Sequence, residues 1–409
     1  MKPKTPGFKQ PFLSVALCAL LLSGAHARTW TSADGSKTFE GELKSYDEAT
    51  SMVVVTKAGG GDMSFKQDVL SADDIAWLKT EGKAALAAAA PKAAGESKVS
   101  ADLPDVLPDP DGKDADMSKP VQVFILMGQS NMLGFGNAGQ LKGSAADQYP
   151  YLVDDAGNWN VRKDVRNVFF CMAQLKYNDW LTAENGNGSG KFGPEIGIGN
   201  YVGHAIDAPV LILKSCVGNR ALGWDLLPPS AVGTGTKGGS YQGDSESSNR
   251  KVSEEAKTKN GGWYAGLQYD QDVGAAQTAL KDLATYYPSA TGYEVAGFFW
   301  WQGNAEAGKG NVENYDKNLA FLFNDLKKDF NAPNAKFVCA TLGEHDMDAT
   351  LSKKMFDFAA LPEFKDQAAV FYSKPVSKGG SGGHYGGDAD TYMKVGEGMG
   401  KLMVELLAK

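Results

Sequence analysis

Beyond about residue 120 the chain alternates short continuous apolar runs with stretches whose apolar residues recur at helical spacing. The runs cover residues 123–127, 210–213, 295–301, 336–341 and 369–372, and the helical patterns cover 272–286 and 314–330. A last helix follows, with Tyr392, Val395, Met399, Leu402 and Leu406 on one face. Strands that are apolar throughout are covered on both faces, so this order predicts an α/β domain with a parallel sheet between two helical layers. In such sheets ligands bind outside the carboxyl ends of the strands, and chemistry is sought there.

The front of the chain reads differently. Residues 28–79 carry short alternating runs such as Met52-Val53-Val54-Val55, broken by Asp34-Gly35 and Gly59-Gly60-Gly61. That pattern predicts a small β-barrel, closed by a short helix that Ser71 caps. Residues 80–119 hold an alanine run and Pro104, Pro108 and Pro110 but few aromatic or branched side chains, the composition of a linker. The second domain spans 120–409. Within it the Gly- and Ser-rich insertion 228–262, flanked by Trp224 and Trp263, is long for a connecting loop and is expected to shape a pocket.

Residues 1–27 have the order of a secretory signal: Lys2, Lys4 and Lys9, an apolar run from Phe12 to Leu22, then Ala25-His26-Ala27. The apolar run is about half of the roughly 20 residues that a membrane span needs, so secretion or release to the periplasm with cleavage after Ala27 is expected. Removal of this segment takes the formal charge from −8 to −11, which excludes the basic face that nucleic acid or an anionic membrane would want. Cys171, Cys216 and Cys339 remain, too few and too widely spaced for a disulfide framework or a zinc site, although a single bridge is open. His204, His345 and His384 form no HExxH pair, so neither a metal nor another cofactor is expected.

Four segments at predicted strand ends can carry chemistry. The first strand runs into Gly128-Gln129-Ser130-Asn131, which sets a serine at the mouth of the sheet; a plain helix cap would look the same. The second ends Lys214 to Leu222, with Gly218 able to bring backbone close to a ligand. The third ends Trp301-Gln302-Gly303-Asn304-Ala305-Glu306, an aromatic wall beside amide donors or a buried aromatic cluster. Near the C-terminus His384 lies in the glycine-rich Gly382-Gly383-His384-Tyr385.

Together these segments resemble the carbohydrate-esterase branch of the SGNH hydrolase superfamily, the sialate O-acetylesterases and acetylxylan esterases, over residues 121–407. Phe192-Gly193-Pro194-Glu195 and Trp224-Asp225 add to the likeness. Residues 28–79 resemble the barrel of the first Sla homology domain, which would make them either a docking module for another protein or surface, or a stabilising appendage. The resemblance implies a three-layer, flavodoxin-like sheet and an exported serine esterase that removes acyl groups, chiefly O-acetyl, from carbohydrates. It implies Ser130 as nucleophile, His384 as base, and an oxyanion hole built from Gly218 and Gln302. Gln129, Asn131, Asn219, Arg220 and Trp301 are implied as substrate-binding residues.

Two departures stand out. Asn304 replaces the glutamate of the family's Gln-Gly-Glu, and Ser381 occupies the place three residues before the base where an acid often stands. His384 is then expected to work as a Ser–His dyad, against a backbone carbonyl, or with Glu195 or Glu306 as a third member and Asn304 beside them; Asp388 or Asp390 is expected to cap the last helix instead. The same serine and histidine would serve a general lipase or arylesterase of the superfamily. A non-catalytic glycan-binding protein on the same scaffold is the remaining reading.

Overall fold

The computed structural model describes residues 28–48, 51–58, 61–82, 107, 114–184, 186–188, 190–231 and 263–409. The expected signal segment, most of the expected linker and most of the 228–262 insertion lie outside these residues. The chain divides into two compact units, Met1–Lys92 and Ala93–Lys409.

The first unit holds four antiparallel strands in the order β1-β2-β3-β4: β1 (Arg28–Thr31), β2 (Thr38–Asp47), β3 (Met52–Lys57) and β4 (Asp62–Lys66). It is an open sheet, which corrects the barrel expected from the sequence. Among the described residues β1 and β4 do not pair; a lone Ser32–Leu70 bridge and the Asp74 carboxylate, which accepts from Thr31 N–H and Arg28, join β1 to the chain beyond β4. The reason is local, because the chain after β4 turns into a helix rather than a further strand. The Ser71 hydroxyl accepts the Asp74 N–H at 3.2 Å and starts α1 (Ala72–Trp77). Leu78, just beyond α1, then packs with Trp30, Val53 and Val55 and covers the sheet.

The second unit is built on a seven-stranded sheet. Its strands in chain order are β5 (Val121–Gly128), β7 (Arg162–Cys171), β8 (Gln174–Leu181), β10 (Val210–Cys216), β11 (Tyr293–Trp301), β12 (Lys336–Ala340) and β13 (Ala368–Phe371). A separate two-residue ladder joins β6 (Gly136–Asn137) to β9 (Lys191–Phe192). All neighbours in the large sheet are parallel except the β7–β8 hairpin. With that hairpin set aside, β5, β10, β11, β12 and β13 numbered one to five stand in the order 2-1-3-4-5. This is the flavodoxin-like order, whose switch point falls between its first and third strands, here β5 and β11.

Alternate residues of each strand feed two cores, as the period of two dictates. Phe124, Leu126, Ile212 and Trp301 join one with α3 (Ala138–Gln148), α4 (Glu195–Ala205) and α8 (Ala389–Leu407). Val123, Ile125, Leu213 and Trp300 join the other with α5 (Leu267–Lys281), α6 (Tyr315–Asp329) and α7 (Thr350–Ala359). Helices therefore cover both faces. Leu107, from the stretch expected to be linker, is buried in the first of these cores. Cys171, Cys216 and Cys339 are free thiols, and no helix of the described residues is long and apolar enough to cross a membrane.

Helices α4 and α8 touch through glycines. A Cβ added at Gly396 would stand 2.3 Å from the Pro194 carbonyl, and one at Gly197 would stand 2.5 Å from the Glu397 N–H. Gly396→Ala should therefore lose stability by about 1–3 kcal/mol through overpacking, despite the better helix propensity of alanine. Gly274→Ala on α5, where nothing lies within 4 Å, should gain up to about 1 kcal/mol. Urea midpoints of the two variants test this, and equal shifts of the same sign would refute the close helix contact.

Candidate functional site

Strands β5, β10 and β11 end at one level, with Gly128 paired to Cys216 on one side and Trp301 on the other. Gly128 has φ 151°, and a Cβ there would sit 2.4 Å from the Trp301 carbonyl oxygen. Only glycine lets the chain pass. Gln129 follows, and Ser130 opens α2 (Ser130–Leu133), a single helical turn. As the first residue of a helix, Ser130 has an N–H with no partner inside the turn. The residue is buried but retains 7% exposure.

Beyond β10 the chain runs past Gly218, whose absent Cβ would make ordinary contact with the Ser130 Cβ at 3.6 Å. Asn219 is left-handed at φ 56° and exposed. The Arg220 guanidinium is half-buried and lies over the Trp263 ring, 4.2 Å from its centroid. Buried carboxylates pin the rest of this loop by its backbone. Asp225 accepts the Ala221 N–H at 2.8 Å, and Glu306 accepts the N–H groups of Leu222 and Gly223, both at 2.8 Å.

The β11 loop is tied to both. The Gln302 amide donates to the Arg220 carbonyl at 2.9 Å, to Glu306 Oε2 at 3.1 Å and to Gln129 Oε1 at 3.3 Å. Its Oε1 accepts the Tyr315 hydroxyl at 2.7 Å. Three acceptors share the two hydrogens of a fully buried amide, so the geometry gives Gln302 the work of joining loops rather than an open donor facing Ser130. The Gln302 amide, expected from the sequence to serve an oxyanion hole, is thus engaged by the loops around it in this structure. Gln129 is equally committed, accepting from Gly303 and Ala305 N–H at 3.4 and 3.1 Å.

His384 sits in a helical turn, Ser381–Gly387, where His384, Tyr385, Gly386 and Gly387 all have positive φ. The turn packs against α2. The imidazole stacks on Phe135 with centroids 4.0 Å apart and planes 11° from parallel, and Lys191 Nζ lies 4.6 Å from the centre of the same Phe135 ring. Burial, and then the charge of Lys191, hold the His384 pKa below its ordinary value. Among the described residues no hydrogen bond joins Ser130 to His384, and such contacts commonly tighten only once substrate is bound. The turn is held from behind by Tyr385, which stacks on Trp301 and accepts the Gly343 N–H at 3.1 Å. Asp388 caps α8 by accepting the Thr391 N–H at 2.9 Å, as its sequence position suggested.

The structure does not bring the two suspected acids to the imidazole. Glu195 forms a fully buried ion pair with Lys214 at 3.0 Å and accepts the Gly193 N–H, while Lys214 also donates to the Leu133 carbonyl at the end of α2. Glu306 receives the loop bonds already described; burial raises its pKa against them. Glu195 thus sits behind the Ser130 turn, and Glu306 fastens the loop after β10. Three of the residues expected to contact substrate are buried in this structure. Gln129, Asn131 and Trp301 are covered by protein, Asn131 accepting the Tyr392 hydroxyl at 3.5 Å and Trp301 donating to the Thr341 carbonyl at 3.2 Å. Asn219, and Arg220 in part, stay open.

Asn304 is exposed and donates to Ser381 Oγ at 3.3 Å. The sequence reading missed Glu344, in the loop after β12, whose carboxylate accepts both the N–H of Ser381 at 3.0 Å and its hydroxyl. No motif surrounds it, and only its place after a predicted strand pointed that way. Two clefts of about 320 Å³ each flank the region. One is lined by Leu133, Phe169 and Tyr177, the other by Asn304, Leu342, Glu344 and Thr350. Among the described residues no cluster of His, Cys, Asp or Glu could hold a metal ion.

Residues 258–405 match the family described as carbohydrate esterase, sialic acid-specific acetylesterase. The match contains Gln302, Glu344 and His384, and begins after Ser130 and Gly218. No curated protein matches the chain in sequence. Among solved structures the chain is similar to a protein from Arabidopsis thaliana, with 13% identity and a TM-score of 0.43, over 70% of this chain and 98% of that one. It is similar to a carbohydrate acetylesterase from Xanthomonas citri, with 14% identity and a TM-score of 0.42, over 92% of this chain and 68% of that one. NanS is similar at 12% identity and a TM-score of 0.36, over 65% of this chain and 79% of that one. Over residues 258–405 the larger unit is thus similar to the carbohydrate esterases of the sialic acid-specific acetylesterase family.

Proposed function

We propose that the protein is an exported serine esterase that removes O-acetyl groups from a carbohydrate. One observation carries this reading: Ser130 heads a helical turn beside Gly218 at the carboxyl end of the central strand, and the turn bearing His384 packs against it. The family match supports the carbohydrate substrate, and the residue order of segment 1–27 supports export.

In this mechanism His384 takes the Ser130 proton as Ser130 Oγ bonds to the ester carbonyl carbon. The carbonyl oxygen becomes an oxyanion and accepts from the N–H groups of Ser130 and Gly218. Collapse breaks the ester C–O bond, and His384 returns the proton to the departing sugar hydroxyl. Water then repeats the sequence on the acyl-enzyme, releasing acetate and restoring Ser130. Gln302 acts one step removed, holding the Arg220 carbonyl and so the loop that carries Gly218. The cleft beside Asn304, Glu344 and Thr350 sets a few polar groups in a mainly apolar wall, an arrangement that suits the face and hydroxyls of a sugar ring.

Ser130→Ala and His384→Ala should each fold normally and lose about a thousandfold or more in kcat on a small chromogenic acetate. Activity of either within tenfold of the parent would overturn the assignment. An acetate rate well above that for longer acyl chains, with acetate released from acetylated glycans, would separate this reading from a general lipase. Absence of any hydrolysis would favour a glycan-binding protein.

The pH profile is a second check. The base must be neutral to accept a proton, and His384 is held below the ordinary histidine value of about 6.5. The acid limb of kcat/KM should therefore have its midpoint below about 6.5. Lys191→Gln removes the positive charge that helps hold the value down, so the limb should move to higher pH. A limb unmoved by Lys191→Gln would show that another group controls it.

A further inference from the structure

We infer that Glu344 stands in for the acid absent at position 381, as a positioning residue that acts through Ser381 on the turn presenting His384. The inference rests on the Ser130–His384 reading above. Its ground is the pattern of bonds around a single buried residue. Ser381 is 1% exposed, and its N–H and hydroxyl both donate to the Glu344 carboxylate, while its hydroxyl oxygen accepts from Asn304. Every polar group that the Ser381 side chain and N–H offer is thus engaged, by two residues that come from the loops after β11 and β12. A serine at this place can donate and accept but carries no charge of its own. The carboxylate is supplied from another part of the chain.

The turn needs such a tie. His384 and Tyr385 are held in the left-handed region at φ 52° and 53°, which a non-glycine residue adopts only at a cost. Conformations of that kind persist only where the surroundings over-determine them. Downstream the turn is fastened where Asp388 caps α8, and in the middle by the Gly343 N–H on the Tyr385 hydroxyl. Upstream, Glu344 is the charged anchor at Ser381, and it adjoins Gly343, so one loop grips the turn at two points. The other carboxylates considered are committed elsewhere, Glu195 to Lys214 and Glu306 to the loop after β10. Glu344 itself is exposed, so its charge can be removed without leaving an uncompensated charge buried.

The test uses the full chain and a small chromogenic acetate. Glu344→Gln keeps the size and should lower kcat by about tenfold to a hundredfold, with KM changed by less than about threefold and an unchanged urea midpoint. Ser381→Ala should give a similar fall, and the double variant Glu344→Gln with Ser381→Ala should fall no further, because one path is cut in either place. Ser381→Asp combined with Glu344→Gln returns a carboxylate to the turn and should recover kcat to within about threefold of the parent. A residue that only props up the fold would not give that recovery. Wild-type kcat in Glu344→Gln, additive losses in the double variant, or no recovery with Ser381→Asp would each overturn the inference. If Ser130→Ala and His384→Ala are inactive while Glu344→Gln is fully active, only this inference fails; if either of those two remains fully active, the reading beneath it fails as well.

Discussion

The carbonyl oxygen of Trp301 stands where any side chain at position 128 would begin, at 2.4 Å from the place of a Cβ. That steric constraint fixes the end of the central strand. Because Gly128 can lie against β11, Gln129 drops into the β11 loop and accepts its N–H groups, and Ser130 is turned upward at the head of a helix. Gln302 then gathers the remaining loop by bonding to Gln129, to the Arg220 carbonyl and to Glu306. Three strand ends are thereby locked into one polar network beneath the serine. Networks of this kind hold their geometry only while every member is satisfied, and here the central amide is fully used.

Carboxylates do much of the fastening. Asp225 and Glu306 each take backbone N–H groups of the loop after β10, and Glu195 is paired with Lys214 behind the serine turn. Removing one partner of a fully buried pair such as the last typically costs about 3–5 kcal/mol, since the other charge is left without compensation. Acids placed near Ser130 in sequence or fold need not face His384. In this chain the buried ones stiffen the floor of the site.

The sheet was readable from the amino-acid order because its strands are apolar on both faces, and all five continuous runs form parallel strands. The β7–β8 hairpin was not. Its two-residue turn is Met172-Ala173, both at positive φ, where the usual signal would be Asn-Gly or Asp-Gly. The open sheet of the first unit was misread for a related reason: its alternation and glycine turns resemble those of a barrel, and whether the edges meet is not a local property. Ser130, Gly218 and His384 could be found because each lies in a short, recognisable segment. The burial of Trp301 and Asn131 depends on packing by Tyr385 and Tyr392 from the far end of the chain. Glu344 escaped notice because its partner is 37 positions away and no spacing joins the two.

The hairpin also closes one side of the large sheet. Without it β10 would be the border strand, with Leu211, Ile212 and Leu213 running along an open row of backbone donors and acceptors that another chain could extend. With it, the border is β8, where Gln174, Lys176 and Asp179 are exposed. The opposite border, β13, is only four residues long. Neither border offers a long apolar ladder, which protects a chain with so hydrophobic a sheet from lateral growth into aggregates.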